Sequence, residues 1–202
     1  MVRRYRLPGT EWGMAQRYPQ ITDRIRRFIE AQHMFFVATA ARTGRVNVSP
    51  KGLDTLRILD ADRVAWLNLT GSGNETAAHI LDLPRMTLMF CAFQGNPWIV
   101  RLFGTPTMVQ PGEDGWDELA GLFPPQRGSR QVYVLDIDLV LTSCGFGVPL
   151  MSLEGHRDHH ALASAKRVRT MGAEGAEDFR RERGARSIDG LPALPPRDGS
   201  AT

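Results

Sequence analysis

The stretch that decides the fold is Met34-Phe-Phe-Val-Ala-Thr-Ala40, followed by Arg42-Thr-Gly-Arg45 and Val46-Asn-Val-Ser49. Its first part is rich in aromatic and β-branched residues, as strands are, and its middle part has the composition of a turn. Because apolar and polar side chains alternate again after the turn, we predict a β-hairpin with strands at 34–40 and 46–49. The chain therefore begins its main structural unit with an antiparallel pair.

The same pattern continues as short strands with few helices between them. Parallel α/β sheets alternate strands with helices, so this order argues for an antiparallel, closed or partly closed barrel. The predicted fold class is mainly β (α+β), a barrel with peripheral helices. We predict further strands at 56–59, 63–69, 86–92, 98–109 and 131–142, and helices at 21–32, 72–83, 111–123 and 154–171.

Composition argues against several function classes. Of 202 residues, 42% are hydrophobic, which is enough for one substantial core. The formal net charge is +3, but the arginines are scattered rather than interleaved with aromatic residues, which argues against nucleic-acid binding. No stretch approaches the roughly 20 apolar residues of a membrane span, and residues 1–6 lack the apolar core of a signal peptide. We expect a cytoplasmic protein that binds neither membranes nor nucleic acid.

The cysteines and a histidine cluster suggest structural or solvated roles. Cys91 and Cys144 are far apart and form no Cys-x-x-Cys motif, so we interpret them as small buried residues of a reducing compartment. His156, His159 and His160 share part of a helix face. No Cys or acidic residue completes that set at metal-binding spacing, and we predict no metal site.

Lys51 is one of two lysines in a chain with 23 arginines, and it follows a predicted strand. Within that strand Asn47 and Ser49 alternate with Val46 and Val48, so the polar side chains share one face. A lysine just past a strand end is most often a solvated surface group. A strand that lines a ligand groove has the same pattern, because its polar groups need partners such as a flat heteroaromatic ring provides.

The segment Thr70-Gly-Ser-Gly-Asn-Glu-Thr76 joins a predicted strand to a predicted helix. Ser72, Asn74 and Thr76 are good N-cap residues, so a capped helix start is one interpretation. The other is an anion site, because such a turn offers backbone N–H groups and the positive end of a helix. The segment is neither a P-loop nor a dinucleotide fingerprint. Beside Lys51, it predicts a phosphorylated cofactor.

The order of these strands, helices and motifs along the chain resembles the order found in the pyridoxamine 5′-phosphate oxidase-like, FMN-binding split-barrel family. The similarity covers roughly residues 28–145 and implies an antiparallel split β-barrel, an FMN cofactor and a homodimer with the flavin at the subunit interface. The segments that carry it are Val48-Ser-Pro-Lys51-Gly-Leu-Asp54, Thr70-Gly-Ser-Gly-Asn-Glu-Thr76, Leu83-Pro-Arg85, a strand ending in Phe90, and Val100-Arg-Leu-Phe-Gly104.

The resemblance also implies a set of cofactor-binding residues. Lys51 and the polar turn would hold the phosphate, Thr70 would lie at the flavin, and residues 46–50 would run along the ring. Arg101 would stabilise negative charge on the reduced ring, unless it is an exposed arginine on the barrel surface. The full implied set is Val46, Asn47, Val48, Ser49, Lys51, Thr70, Ser72, Asn74, Thr76 and Arg101.

The chain departs from the family pattern in two places. The vitamin-synthesis enzymes have an Arg-Lys pair in the turn where this chain has Glu75-Thr76, so two phosphate cations are missing. Ser72, Asn74, Thr76 and backbone amides would then substitute, and Glu75 would point away unless the phosphate lies elsewhere. The Trp and Arg elements of the C-terminal signature of those enzymes are also absent, which leaves the substrate open.

We divide the chain into an N-terminal segment with an entry helix (1–33), an FMN-binding split-barrel domain (34–150), a C-terminal helical segment (151–186) and a disordered tail (187–202). The Pro, Gly and Ser content of the tail is typical of disorder.

The expected function is an FMN-dependent oxidoreductase that transfers hydride through flavin N5 to or from a small organic substrate. No residue is singled out as catalytic. Two alternatives stay open: a flavin or haem carrier or sensor without turnover, and a deazaflavin-dependent reductase.

Overall fold

The structure is a computed structural model that describes residues 15–194 and contains one antiparallel sheet with four helices around it. Its strands are β1 (Gln16–Tyr18), β2 (Phe35–Thr39), β3 (Asn47–Lys51), β4 (Leu56–Ile58), β5 (Arg63–Leu69), β6 (Met86–Cys91), β7 (Trp98–Val109) and β8 (Ser129–Cys144). Its helices are α1 (Asp23–Glu30), α2 (Glu75–Asp82), α3 (Trp116–Ala120) and α4 (His159–Arg183).

The sheet has the strand order β3-β2-β6-β7-β8-β5-β4, and β1 pairs with β8. All pairings are antiparallel, and the sheet forms a half-barrel. This confirms the predicted fold class, a mainly β split barrel with peripheral helices. The sequence did not predict β1, because its three residues pair with β8 without an apolar alternation of their own.

The core lies on one face of the sheet. Val37, Leu88, Leu102 and Val140 pair in one row across β2, β6, β7 and β8, and none of them is exposed to solvent. Helix α1 begins after Thr22, whose hydroxyl oxygen accepts a hydrogen bond from the Ile25 N–H, and it buries its apolar residues in the same core. The period-two pattern thus sets which face of each strand is buried.

One glycine on β7 allows a close approach of two strands. The pairing of β7 with β8 shifts register between Phe103 and Gly104. A Cβ atom at Gly104 would lie 1.9 Å from the Asp136 carbonyl oxygen, so no side chain fits there. A bulge that needs glycine is a common way to bend a long strand.

The C-terminal part differs most from expectation. Helix α4 continues to Arg183 through a non-helical Gly172 (φ 74°), beyond the predicted end at 171. Residues 187–194 are not a disordered tail, because Ser187 and Ala193 donate backbone hydrogen bonds to Leu191 and Ala185, and Ala193 is fully buried. The remaining calls on 1–14 and 195–202 lie outside the described residues.

The other sequence expectations have mixed outcomes. Cys91 is buried as interpreted, but Cys144 is exposed, and both thiols are free. Among residues 15–194, no helix is long and apolar enough to cross a membrane. Within the same residues, no group of three or more His, Cys, Asp or Glu side chains is arranged to hold a metal ion.

Candidate cofactor site

A polar cavity of about 560 Å³, which we call the cradle cavity, lies between β3, the turn before α2 and the chain that follows α4. Six of the ten residues predicted from the sequence line it: Asn47, Ser49, Lys51, Ser72, Asn74 and Thr76. The sequence did not predict three arginines that also line it, Arg130, Arg183 and Arg186. The cavity therefore combines the expected strand and turn with a set of cations from distant parts of the chain.

Strand β3 sends its polar side chains to this cavity and its valines outward. Asn47, Ser49 and Lys51 pair with Thr39, Val37 and Phe35 of β2, so they share the face that carries the core. Val46 and Val48 belong to the opposite side and are 71% and 60% exposed. The predicted separation of polar and apolar faces is confirmed, and within one chain the two valines lie away from the cavity.

A hydrogen-bond network holds the polar face of β3 against α2. The Asn47 amide donates to the Thr39 hydroxyl (3.2 Å) and to the Thr76 hydroxyl (3.4 Å). The Ser49 hydroxyl donates to the side-chain amide oxygen of Asn47 (2.9 Å). Below them, the Thr39 hydroxyl lies 3.1 Å from Nδ1 of the buried His79. These contacts fix the side chains of one cavity wall.

Lys51 is a partly buried cation with no acidic partner. Its ammonium lies 3.4 Å from the Asn68 amide oxygen and 5.2 Å from the centroid of the Trp66 ring. Among residues 15–194, no ion pair joins Lys51 to a carboxylate. Burial, together with the nearby Arg130 guanidinium, lowers the pKa of Lys51 to about 8. A bound anion would relieve both effects.

Arg130, at the start of β8, places a second cation beside Lys51. Its guanidinium donates to the Gly73 carbonyl oxygen (2.9 Å) and to the Gln131 amide oxygen (3.1 Å), and burial lowers its pKa. The same Gln131 oxygen accepts a hydrogen bond from Asn68 (2.9 Å), whereas the buried Gln131 amide nitrogen has no partner. The sequence signal for Arg130 was weak, since it precedes the predicted strand by one residue.

The start of α2 is open rather than capped by a side chain. Asn74 occupies the N-cap position but makes no capping hydrogen bond. Its amide instead donates to the carbonyl oxygens of Gly184 (3.1 Å) and Ala193 (3.3 Å). The capped-helix interpretation is therefore wrong for Asn74. An uncapped helix start leaves backbone N–H groups available to an anion.

Glu75 lines the cavity, but its carboxylate is engaged elsewhere. One oxygen accepts a hydrogen bond from the Ile188 N–H (2.9 Å), and the other lies 4.0 Å from His79 Nε2. The expectation that this carboxylate avoids a phosphate is compatible with these contacts, because both of its oxygens have partners.

Thr70 and Arg101 do not line the cradle cavity. The hydroxyl and the N–H of buried Thr70 donate to the Gly128 carbonyl oxygen (2.9 and 2.8 Å). Arg101 pairs with Met89 and Leu141 on the outer face of the sheet and donates to the Ser143 hydroxyl (3.1 Å). Their proposed contacts with a cofactor would need a ligand or subunit that reaches beyond this cavity.

A second cavity, the apolar groove, adjoins the first at Lys51. It measures about 910 Å³ and lies between the end of β3, the loop after α1 and the irregular segment 151–157. Its wall includes Met34, Leu53 and Phe93, with His156 and His160 at one side. Lys51 lines both cavities, so a polar site and an apolar site meet at one cation.

Comparison with known proteins identifies the family. Residues 21–144 match the family model described as pyridoxamine 5′-phosphate oxidase. The pyridoxamine 5′-phosphate oxidase family protein ustO of Aspergillus flavus is 35% identical over 192 residues, which covers 88% of this chain and 77% of that protein.

Two solved structures show how far the likeness extends. A Lactobacillus delbrueckii protein proposed to be a pyridoxamine 5′-phosphate oxidase has a TM-score of 0.50 and 19% identity, over 61% of this chain and 94% of its own. HutZ, a haem storage protein of Vibrio cholerae, has a TM-score of 0.43 and 15% identity, over 62% and 97%. The first supports the fold alone, and the second is too distant to bear on the cofactor. By its family match and its curated relative, this chain belongs to the pyridoxamine 5′-phosphate oxidase family.

Proposed function

We propose that this protein binds FMN through the cradle cavity and acts as an oxidoreductase. The observation that carries the proposal is the pair of partly buried cations, Lys51 and Arg130, that line one cavity without an ion-paired carboxylate. Holding like charges together away from water is unfavourable, so an anion is the partner that such a site lacks. A phosphate monoester, with a charge of about −1.5 to −2, matches this need.

The cavity also offers neutral groups that fit a phosphorylated ligand. The first turn of α2 has no side-chain cap, and the Ser72 hydroxyl lies on the same wall. Lys51, Arg130 and these donors would hold the phosphate, while Asn47 and Ser49 would orient the rest of the cofactor. FMN, when bound, supplies hydride transfer.

The apolar groove supports a small organic substrate next to the cofactor. Because Lys51 lines both cavities, a ligand anchored at Lys51 lies beside an apolar space of about 910 Å³. Binding sites for small molecules are mostly apolar with a few polar groups, as this groove is. The chain's part in the reaction would be to orient the substrate there and to exclude water.

We also propose that the protein is a cytoplasmic homodimer. The exposed Val46 and Val48 form an apolar patch on the outer side of β3, on the sheet face that also carries Arg101. A second copy that covers this patch would bring the valines and Arg101 toward a cofactor at the interface. Light scattering should then give twice the chain mass, and Val48→Glu should shift the measured mass toward that of the monomer.

The free thiols of Cys91 and Cys144 suit a reducing compartment such as the cytoplasm.

An absorbance spectrum of the purified protein, followed by titration with FMN and with riboflavin, tests the cofactor. We expect flavin bands or tight quenching of added FMN. Lys51→Met should weaken FMN binding at least about tenfold, the effect of one lost charge-assisted contact, and leave riboflavin binding nearly unchanged because riboflavin has no phosphate. Lys166→Met, at the other lysine, is the matched control.

Three results would count against the proposal. A colourless protein that does not bind FMN would exclude the cofactor, and a haem Soret band would favour a haem carrier. Tight FMN binding without any reduction by a nicotinamide donor or oxidation by an electron acceptor would leave a flavin carrier rather than an oxidoreductase.

A further inference from the structure

We propose that the last residue of α4 and the chain after it, residues 183–194, complete the phosphate site and supply its two missing cations, Arg183 and Arg186. We call this segment the C-terminal arm. The inference deepens the proposed function and depends on it, because it assigns the protein groups that bind the phosphate monoester of the cofactor. We assigned no role to these two arginines from the sequence, since they belong to a charged run that is typical of a solvated helix.

The arm is held on the start of α2 by three kinds of contact. The Asn74 amide donates to the Gly184 and Ala193 carbonyl oxygens, one at each end of the arm. The Glu75 carboxylate accepts from the Ile188 N–H between them. Ala193 is fully buried against Ala77 and Ala78. Hydrogen bonds and apolar burial together fix the arm over the turn that was expected to bind an anion.

The two arginines of the arm are exposed to solvent and line the cradle cavity. Arg186 donates to the Gly190 carbonyl oxygen (2.8 Å), and the Arg183 guanidinium lies 5.5 Å from the centroid of the Phe179 ring. Among residues 15–194, neither forms an ion pair with a carboxylate. With Lys51 and Arg130, they make four cations at one cavity. Arginine is well suited to such a site because its planar fork matches phosphate oxygens.

This arrangement gives Glu75 a function at the position where the resemblance implies a phosphate cation. A carboxylate in the turn would repel a phosphate if it faced it directly. Here it anchors the arm through the Ile188 N–H, and the arm carries two arginines to the same cavity. One acidic residue in the turn is thereby linked to two cations from the C-terminal part of the chain.

The test compares FMN and riboflavin binding by the wild-type protein, an Arg183→Gln/Arg186→Gln double variant and an Arg169→Gln control. Arg169 is an exposed arginine of the same helix that lines neither the cradle cavity nor the apolar groove. We expect the double variant to lose at least about tenfold in FMN affinity, as lost charge-assisted contacts predict, with riboflavin affinity unchanged. The control should stay within about twofold on both ligands, since a surface charge away from the ligand has little effect.

Two further measurements identify the ligand chemistry and the role of charge. Inorganic phosphate should compete with FMN, and less effectively in the double variant, whereas it should not compete with riboflavin. Arg183→Lys/Arg186→Lys should recover part of the FMN affinity, because a positive charge is kept. An unchanged far-UV spectrum and unfolding midpoint would show that the variants fold.

The outcomes separate the inference from the proposed function. Equal FMN affinity in the double variant and the Arg169→Gln control would overturn the role of the arm, while FMN binding itself would stand. An equal loss for FMN and riboflavin would also overturn it, since the arginines would then act on the fold rather than on the phosphate. A wild-type protein that binds no FMN would overturn both.

Discussion

Two rows of side chains in the same sheet both contain fully or almost fully buried residues but differ in chemistry. The apolar row, Val37, Leu88, Leu102 and Val140, runs across four central strands and is fully buried. The polar row pairs Asn68 of β5 with Gln131 of β8, which are 3% and 0% exposed, and ends at Lys51 and Arg130.

The difference separates the part of the sheet that stabilises the fold from the part that we propose binds a ligand. The apolar row stabilises the fold because its side chains are removed from water. The polar row leaves the Gln131 amide nitrogen without a partner and keeps two cations without ion-paired acids. Buried polar groups in that state reduce stability, so the polar row lowers the stability of the protein, and an anion is the partner that we propose for it.

The largest effect is expected in the apolar row. Leu102→Ala should lower the free energy of unfolding by about 2–5 kcal/mol, because it removes a fully buried side chain and leaves a cavity. Urea unfolding measures this loss. Leu162→Ala on the exposed side of α4 is the control, with a change within about 0.5 kcal/mol. Similar losses in both variants would show that the central row is not the core we describe.

Lys51→Met should raise the free energy of unfolding, the opposite of the effect expected for Leu102→Ala. The folded pKa of Lys51, about 8, is below the usual 10.5, so the charged form costs stability below pH 8. This cost disappears as the pH rises from about 8 to 10.5, because in that range Lys51 loses its proton in the folded protein but keeps it in the unfolded chain. We expect the variant without cofactor to be about 1–3 kcal/mol more stable than wild type near pH 7, after allowance for solvent screening.

Urea unfolding of both proteins at pH 7 and pH 10 sharpens this prediction. The advantage of Lys51→Met should shrink at the higher pH, whereas exposed Lys166→Met should show no comparable gain at either pH. A loss of stability in Lys51→Met at pH 7 would mean that the polar row is not strained in the empty protein.

The smallest effect on global stability is expected for Asn74→Ala. It removes both hydrogen bonds to the C-terminal arm, so amides of residues 184–194 should exchange with solvent faster. The free energy of unfolding should fall by only about 1 kcal/mol. Asn96→Ala, in an exposed loop, should change neither quantity. Unchanged exchange in the arm would show that Asn74 does not hold it.

Local pattern was enough for some elements and not for others. Strands β5 and β7 have the predicted bounds, 63–69 and 98–109. The helix predicted at 111–123 shortens to Trp116–Ala120, because Gly112 and Gly115 adopt positive φ and form turns before it. Eight of the thirteen predicted residues therefore lie outside the helix, and the five before it were missed because apolar spacing does not reveal the dihedral angles that glycine adopts.

The sequence by itself determined the mainly β fold, the polar face of β3 and the polar residues of the turn before α2. These follow from a period of two along a strand and from residue types at a helix start, both local properties. Only the tertiary structure decided that Asn74 binds the arm instead of capping α2, and that Arg130, Arg183 and Arg186 join Lys51. Asn74 and Gly184 are 110 residues apart, and no local periodicity specifies contacts at that separation, because they depend on how the whole chain packs.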